Sequence, residues 1–382
     1  MSLKRCVSAL SLVALLAVAG GTAQAAEYPS ERGPVQVTSL LSGLVNPWGM
    51  AFLPDLQGLL ITERPGRLRL VSLQGVLSAP VGGVPRVYAK GQGGLLDVAL
   101  SPEFTQDRWV YLSYAEGGDG QYAGTAVGRG RLSADNSQLE DFEVIFRQQP
   151  KLSSGVHFGS RLVFDRDGYL FITLGENNQR PTAQDLGKLQ GKVVRLHPDG
   201  RVPSDNPFVG RQGARAEIWS YGHRNPQGAA LNPWTGQLWT HEHGPRGGDE
   251  INIPQAGKNY GWPLATHGVN YSFLPIPETQ GKTVAGTEPP YYVWAKSPAI
   301  SGMAFYDGQR FAGWQHNLFI GALVGQALIR LELRGDTVVH EERLLEDLDA
   351  RIRDVRQGPD GYLYVLTDAA DGQLLRLSLQ AQ

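Results

Sequence analysis

Cysteine is almost absent from this sequence: among 382 residues there is one, Cys6. A single cysteine cannot form an intrachain disulfide, so a disulfide scaffold is excluded and the fold must rest on burial of apolar side chains. The chain is long enough to bury such a core, as one large domain or two. Long apolar runs are also missing after residue 19, which predicts that no later segment spans a membrane.

The chain also lacks an excess of positive charge. It carries 35 Lys and Arg against 37 Asp and Glu, a formal net charge of −2. Removal of a leader that contains Lys4 and Arg5 would leave 33 basic residues and a net charge of −4. A weakly acidic surface argues against nucleic acid as a partner.

The N-terminus has the pattern of a secretory signal peptide. Lys4 and Arg5 precede an apolar run over residues 7–19, and a small-x-small motif follows at 23–25. This arrangement predicts cleavage of residues 1–25. The mature chain, residues 26–382, is then a soluble periplasmic protein with no cysteine, and we expect it to form one domain.

What the sequence has in abundance is a repeated hairpin. A short apolar strand enters a Pro/Asp/Gly turn and a strand rich in aromatic and branched residues follows, in a chain with 48 glycines and 24 prolines. Six such units predict an all-β fold, a six-bladed β-propeller with four-stranded antiparallel blades, and disfavour a β-sandwich. We expect the early strand over residues 35–40 to complete the last blade. The six copies are "GMAFLPDLQGLLIT", "DVALSPEFTQDRWVYLSY", "RLVFDRDGYLFITLG", "GAALNPWTGQLWTHE", "GMAFYDGQRFAGWQHNLFIGA" and "DVRQGPDGYLYVLTD".

Polar residues precede the first strand of several units at similar distances. In a propeller, the loops that lead into the innermost strands open on one face near the axis, so these side chains should converge there. Three guanidinium groups around one mouth suit a flat ligand with several carboxylates. The residues are Gln92, His157, Arg224, Asn225, Arg351 and Arg353.

The segment "THEHGPRGGDEIN" falls on the same face. His241 and His243 lie two apart on a predicted strand and could hold zinc, but no third ligand is evident nearby. The oxygens of Asp249, Glu250 and Asn252 suit calcium better, and glycine-rich backbone can present carbonyl oxygens to an ion. A solvated charge pair is the alternative for Asp249 and Glu250.

Four long motifs resemble the soluble quinoprotein aldose sugar dehydrogenases, which are grouped with the soluble glucose dehydrogenases that use pyrroloquinoline quinone (PQQ) and calcium. The motifs are "HFGSRLVFDRDGYLFITLGENNQRPTAQD", "IWSYGHRNPQGAALNPWTG", "EHGPRGGDEINIPQAGKNYGWP" and "RIRDVRQGPDGYLYVLTD". The resemblance covers nearly the whole mature chain. It implies PQQ in the axial funnel, oxidation of aldoses to lactones, an external electron acceptor such as a quinone, cytochrome or dye, and a monomer.

The resemblance also implies roles for individual residues. His157 matches the catalytic base, and Arg224 matches a residue that assists catalysis and contacts the cofactor. The implied cofactor-binding residues are Gln92, Arg224, Asn225, Ala322, Arg351, Arg353 and Trp294. The implied calcium ligands are Gly244, Pro245, Glu250 and Tyr260. On this interpretation, the segment around His241 and His243 binds calcium through oxygen and does not bind zinc.

Two positions depart from the better-known soluble glucose dehydrogenases. Val156 stands where those enzymes have an acid, and Val324 stands where they place a lysine on the PQQ carboxylates. Two other functions remain open on the residues alone. One is a calcium-dependent propeller lactonase, and the other is a propeller that binds a ligand without catalysis.

Overall fold

The computed structural model describes residues 25–379. Of the predicted signal peptide, residues 1–25, only Ala25 lies within the described residues. The strands in chain order are β1 Ala25–Tyr28, β2 Val35–Leu44, β3 Pro47–Phe52, β4 Leu59–Glu63, β5 Arg67–Val71, β6 Leu77–Val81, β7 Leu95–Leu100, β8 Trp109–Gly117, β9 Tyr122–Leu132, β10 Leu139–Arg147, β11 Leu152–Ser153, β12 Gly159–Phe164, β13 Leu170–Leu174, β14 Lys192–Leu196, β15 Ile218–Tyr221, β16 Pro226–Leu231, β17 Leu238–Glu242, β18 Asp249–Asn252, β19 Tyr292–Trp294, β20 Ile300–Tyr306, β21 Asn317–Ala322, β22 Ala327–Arg334, β23 Thr337–Leu344, β24 Ile352–Gln357, β25 Leu363–Thr367 and β26 Gly372–Leu379.

Helical structure is limited to short turns. One α-helical turn, α1, covers Phe104–Asp107, and three 3-10 turns cover Pro54–Leu56, Arg180–Gln184 and Glu346–Leu348. Between residues 25 and 379, no helix has the length and apolar character that crossing a membrane requires.

The strands form six antiparallel sheets that are the blades of a propeller, which confirms the predicted fold. Blade 1 is β3–β6, blade 3 is β12–β15, blade 4 is β16–β19 and blade 5 is β20–β23. Blade 2 is β7–β10 with the short β11 added beside β9, and blade 6 combines β24, β25 and β26 with β2 and β1. Two blades therefore carry a fifth strand beyond the four predicted. The first strands of the six blades contact one another in ring order around the axis.

The ring closes through the N-terminal strand, as predicted. β2 pairs antiparallel with β26, from Val35 opposite Leu379 to Leu44 opposite Gly372. The first and last strands of the described residues thus belong to the same blade, and the outer edge of β26 is covered.

Each pair of neighbouring blades shares an apolar cluster. Blades 1 and 2 pack through Leu60, Leu95 and Leu112, for example, while blades 5 and 6 pack through Phe319 and Val365. The period-2 alternation of the strands places these side chains on the sheet faces, where adjacent blades meet.

Arg161 joins the inner strands at the axis. Its side chain is fully buried, with Nη1 lying 3.1 Å from Asp97 of β7 and 3.2 Å from Asp354 of β24. Its Nε donates to the carbonyl of Gln227 in β16 at 2.7 Å. A buried guanidinium is tolerated only when it is paired on several sides, and these contacts provide that pairing from three other blades.

Candidate functional site

A cavity of about 260 Å³ opens at one end of the axis. It is formed by two sets of loops: the approach loops, which lead into the inner strand of each blade, and the exit loops, which follow the second strand. These loops meet on the same face, which is the arrangement the sequence predicted for the approach loops. The cavity is lined by Trp48, Arg64, Gln92, Asn225, Gln227, His243, Ala299, Leu323, Arg351, Arg353 and Asp368.

The wall of the cavity carries an excess of positive charge. Arg351 and Arg353 share one carboxylate oxygen of Asp368, at 3.1 and 2.9 Å. Burial opposes ionisation of Asp368, but the charges of Arg353 and Arg351 outweigh it and lower the pKa of this carboxyl. Burial lowers the pKa of Arg353 to about 10, against the effect of Asp368, and the charges of Arg161 and Arg64 add to the lowering.

Several guanidinium nitrogens around this cavity lack partners. Among the described residues, the buried Nε atoms of Arg64, Arg224 and Arg353 have no hydrogen-bond acceptor. A buried donor without a partner carries a desolvation cost that a bound acceptor would remove. The arrangement therefore fits an anionic ligand with several carboxylates, which is the chemistry of PQQ.

His157 lies on the approach loop of blade 3 and contacts Gln92 of the cavity wall. Its main-chain N–H donates to Oε1 of Gln92 at 2.8 Å. Its Nδ1 lies 3.1 Å from Oε1 of Glu176, and since a carboxylate accepts, Nδ1 is assigned as the donor. Nε2 has no partner among residues 25–379, so it is left with a lone pair. Burial lowers the pKa of His157, and the hydrogen bond that Nδ1 donates to Glu176 offsets only part of this effect.

The exit loop of blade 3 fixes His157 in a left-handed backbone conformation. The φ angle of His157 is +55°, in the left-handed region that L side chains seldom adopt. Its carbonyl accepts a hydrogen bond from Nδ2 of Asn177 at 3.1 Å. A Cβ on Gly175 would lie 1.9 Å from that carbonyl oxygen, so only glycine permits this close approach.

Arg224 and Asn225 occupy the approach loop of blade 4. The Asn225 side-chain oxygen accepts the N–H of Gly159 at 3.2 Å, which ties this loop to the inner strand of blade 3. The main-chain N–H of Arg224 donates to Glu242, and its Nη1 donates to the carbonyl of His243 at 3.2 Å. The positive charge of Arg224 also contributes to lowering the pKa of His157, which places the two side chains in the same electrostatic environment.

The exit loop of blade 4 contains Gly244 and Pro245. Asp249 is buried and organises this loop, because it accepts the N–H of Gly244 at 2.9 Å and that of Ala299 at 2.8 Å. A Cβ on Gly244 would lie 2.2 Å from the carbonyl oxygen of Gly247, so main-chain carbonyls are crowded here. The alternative of a solvated Asp249–Glu250 pair is wrong, since the carboxylate of Asp249 is occupied by main-chain donors.

Glu250 lies in a second group of oxygens behind this loop. Nδ2 of Asn252 donates to Glu250 at 2.9 Å and to Glu242 at 3.1 Å, while Oδ1 of Asn252 is buried with no partner among the described residues. Burial, together with the charge of Glu242, raises the pKa of Glu250 well above its usual value. An unpaired amide oxygen beside two carboxylates is a donor set that suits calcium.

Tyr260 adjoins this group through His223. The two rings stack with centroids 4.9 Å apart, and His223 in turn binds Glu242. Within residues 25–379, no three side chains of His, Cys, Asp or Glu are grouped as metal ligands. A calcium ion held largely by carbonyl oxygens does not require such a group.

The two histidines of the H-x-H motif bind main-chain carbonyls. Nε2 of His241 lies 3.3 Å from the carbonyl of Gly302, and Nε2 of His243 lies 2.5 Å from that of Ile300. Burial lowers the pKa of His241 to about 3, so this imidazole is neutral. These contacts give both histidines a structural role in fixing blade 4 against blade 5, although His243 also lines the cavity.

Three residues considered from the sequence lie away from the cavity wall. Trp294 is 5% exposed on the outermost strand of blade 4, with Nε1 donating to Glu341 at 2.8 Å. Its proposed place beside the cofactor is not supported, because its ring packs in the core between blades 4 and 5. Ala322 is buried in the same core, and only its neighbour Leu323 reaches the cavity. Val324 is 66% exposed.

Sequence reasoning missed the acidic and basic residues of the exit loops. Glu176 and Glu242 each follow a histidine of an approach loop by 19 residues, so a repeated His-x18-Glu spacing was available as a signal. Asp368 directly follows the second strand of blade 6. Arg64 follows the second strand of blade 1, and only the fold shows that it reaches the axis.

The fold and the cation-lined cavity define a propeller with an axial site for an anionic ligand, and comparison with known proteins identifies the family. The sequence profile described as glucose/sorbosone dehydrogenase matches residues 44–376. The chain belongs to this family of dehydrogenases.

Individual relatives agree with this assignment. The aldose sugar dehydrogenase YliI of Escherichia coli (strain K12) is 62% identical over 344 residues, which cover 90% of this chain and 93% of the relative. The crystal structure of the soluble aldose sugar dehydrogenase from Escherichia coli in the apo-form has a TM-score of 0.89 at 62% identity and covers 91% of this chain and 100% of that one. The PQQ-bound aldose sugar dehydrogenase from Streptomyces coelicolor has a TM-score of 0.76 at 30% identity and covers 92% of this chain and 99% of that one.

Proposed function

We propose that this protein is a PQQ- and calcium-dependent aldose sugar dehydrogenase that oxidises the anomeric carbon of the sugar and releases a lactone. The observation that carries this proposal is the unpartnered Nε2 of His157, whose main chain binds Gln92 in the wall of a cavity lined by three arginines. Family membership and a PQQ-bound relative support the same conclusion.

The cavity wall supplies binding and orientation for the cofactor. Arg351 and Arg353 offer guanidinium groups to its carboxylates, while Gln92 and Asn225 offer amide groups. When bound, PQQ supplies a two-electron acceptor and calcium supplies a Lewis acid, neither of which a protein side chain can replace. The carbonyls of Gly244 and Pro245 would hold the calcium ion at the cofactor. Glu250 and Tyr260 would hold a further ion.

Side chains of the protein accept the proton that the sugar hydroxyl loses. Nε2 of His157 accepts the proton of the anomeric hydroxyl. The hydrogen on the anomeric carbon leaves at the same time as a hydride, and the C–O bond becomes a carbonyl. Glu176 holds Nδ1 as the donor, so the lone pair stays on Nε2. Because burial lowers the pKa of His157, this imidazole is neutral at ordinary pH and ready to act as a base. Arg224 is placed to stabilise negative charge that develops in the site.

Location and partners belong to the same proposal. The leader pattern supports export to the periplasm, where the protein would act as a monomer. The two electrons leave with an external acceptor, a quinone, a cytochrome or, in the assay, a dye.

The test is dye-linked oxidation of D-glucose by the apo-protein, with PQQ and calcium added separately and together. We expect activity only when both are present, and its loss on chelation of calcium. Methyl α-D-glucopyranoside is the matched substrate control, because its anomeric oxygen has no hydrogen for His157 to accept. Failure to bind PQQ at any calcium concentration would overturn the proposal, and lactone hydrolysis would then be the activity to assay.

A further inference from the structure

One of the three arginines of the cavity wall, Arg64, has no side-chain partner among the described residues. Arg64 follows the second strand of blade 1 and lines the cavity together with Arg351 and Arg353. The latter two are held by Asp368. The guanidinium of Arg64 forms no ion pair and no side-chain hydrogen bond with any of the residues 25–379, and its Nε is buried.

The main chain of Arg64 is nevertheless fixed. Its N–H donates to the carbonyl of Asn46 at 3.1 Å, and its carbonyl accepts the N–H of Leu95 at 3.0 Å. A Cβ on Gly94 would lie 2.1 Å from the Arg64 carbonyl oxygen, so blade 2 is packed directly against this residue. A rigid main chain that carries an unpaired guanidinium is a preorganised site for an anion.

Charge in the cavity points to the same role. One carboxylate, that of Asp368, faces three guanidinium groups, so the wall has a net charge of +2. Arg64 lies close enough to Arg353 for its charge to contribute to the lowered pKa of that residue. Two cations in mutual repulsion destabilise the empty protein, and an anion between them removes the repulsion.

Without Arg64, the cavity wall would carry little net positive charge. It otherwise has two arginines, Arg351 and Arg353, and Asp368 neutralises one of their two charges. A ligand with several carboxylates is therefore better matched when Arg64 also contributes its charge.

We propose that Arg64 binds a carboxylate of PQQ and that its unpaired guanidinium supplies the second uncompensated positive charge of the cavity. This inference rests on the proposed function, since it assigns a residue within the same cofactor site. Arg64 is a binding residue, and the proton transfer to His157 does not involve it.

The experiment measures PQQ binding, without turnover, by equilibrium dialysis of the apo-protein in excess calcium. We expect Arg64→Gln to raise the Kd for PQQ by about 10- to 100-fold, because a charge-assisted hydrogen bond is lost. Arg64→Lys should fall between Arg64→Gln and wild type, since it keeps the charge without the planar fork. Arg86→Gln is the matched control, because Arg86 is an exposed arginine outside the cavity wall, and its Kd should equal that of wild type.

Thermal unfolding of the apo-proteins separates binding from a structural role. We expect the apo Tm of Arg64→Gln to equal or exceed that of wild type, because the repulsion with Arg353 is removed, while the rise in Tm on adding PQQ becomes smaller. An Arg64→Gln protein that binds PQQ as wild type does would overturn this inference and leave the proposed function standing. A large loss of apo Tm in Arg64→Gln would also overturn this inference, because it would show that Arg64 has a structural role. Failure of the wild type itself to bind PQQ would instead overturn the proposed function.

Discussion

Blades 3 and 4 each contain a histidine on the approach loop and a glutamate 19 residues later, at or just beyond the end of the second strand, yet the two pairs differ in what they can do. In blade 3, Glu176 binds Nδ1 of His157 at 3.1 Å and Nε2 remains free. In blade 4, Glu242 binds Nδ1 of His223 at 2.9 Å, but the Oγ of Ser220 occupies Nε2 at 2.9 Å. His223 is 0% exposed and stacked on Tyr260. The carboxylate is thus common to both pairs, and the free Nε2 of His157 is what separates the proposed base from the fully paired His223.

The largest expected effect is on turnover in blade 3. His157→Ala should lower dye-linked turnover of D-glucose by about 10²–10⁴-fold, the usual contribution of a general base. PQQ binding should stay within a few-fold of wild type, because the arginines of the cavity are unchanged. Steady-state kinetics of the reconstituted protein, with PQQ binding measured in parallel, check this. Near-normal turnover in this variant would remove His157 from the mechanism.

The corresponding change in blade 4 should affect stability. His223→Ala removes the partner of a buried carboxylate, which typically costs about 3 kcal/mol of the free energy of unfolding. Glu242 still accepts the N–H of Arg224 and the amide of Asn252, so turnover per folded molecule should fall less than about tenfold. Urea unfolding and active-site titration with PQQ measure the two quantities. A stable but inactive variant would reverse the roles of the two blades.

Glu176→Gln tests what the carboxylate contributes to His157. Burial lowers the pKa of His157, while Glu176 raises it, so loss of this anion should lower the pKa further. The base works when deprotonated. The acid limb of kcat/KM, expected below the ordinary histidine pKa of about 6.5 in wild type, should therefore move to still lower pH.

Glu176→Gln should also have a lower kcat than wild type at neutral pH. A less basic imidazole that is held less firmly in one tautomer should lower kcat by about tenfold. A pH–rate profile with saturating dye measures both effects. An acid limb that stays in place, or moves to higher pH, would contradict the assignment of Glu176 as the partner that raises the pKa of His157.

The contrast between the two pairs also marks the limit of sequence reasoning. Hairpin repeats predicted six blades, and counting along the repeats placed Gln92, Asn225, Arg351 and Arg353 on loops that do line one cavity. Position along a repeat determines the blade and the loop, because the propeller copies one topology six times. It does not determine which polar atoms remain unpaired, since Ser220 reaches His223 only through the folded loop.

Residues on the outer strands of blade 4 show the same limit. Asp249 resembles a solvated acid in the sequence but binds main-chain N–H groups across two blades. Trp294 lies near the site along the chain, but the strand pairing of β19 turns it into the core. Such outcomes depend on long-range packing, for which the local pattern carries no signal.

The smallest expected effect comes from making blade 4 resemble blade 3. Ser220→Ala frees Nε2 of His223 and should cost about 1 kcal/mol of the free energy of unfolding, the usual net value of one buried hydrogen bond. Turnover should not change, because His223 remains shielded from the cavity by its own burial. Combining Ser220→Ala with His157→Ala should therefore give no recovery of activity over His157→Ala alone. Recovery in the double variant would mean that a free imidazole nitrogen anywhere in these loops suffices as the base, and access to the cavity would cease to be the property that separates the two blades.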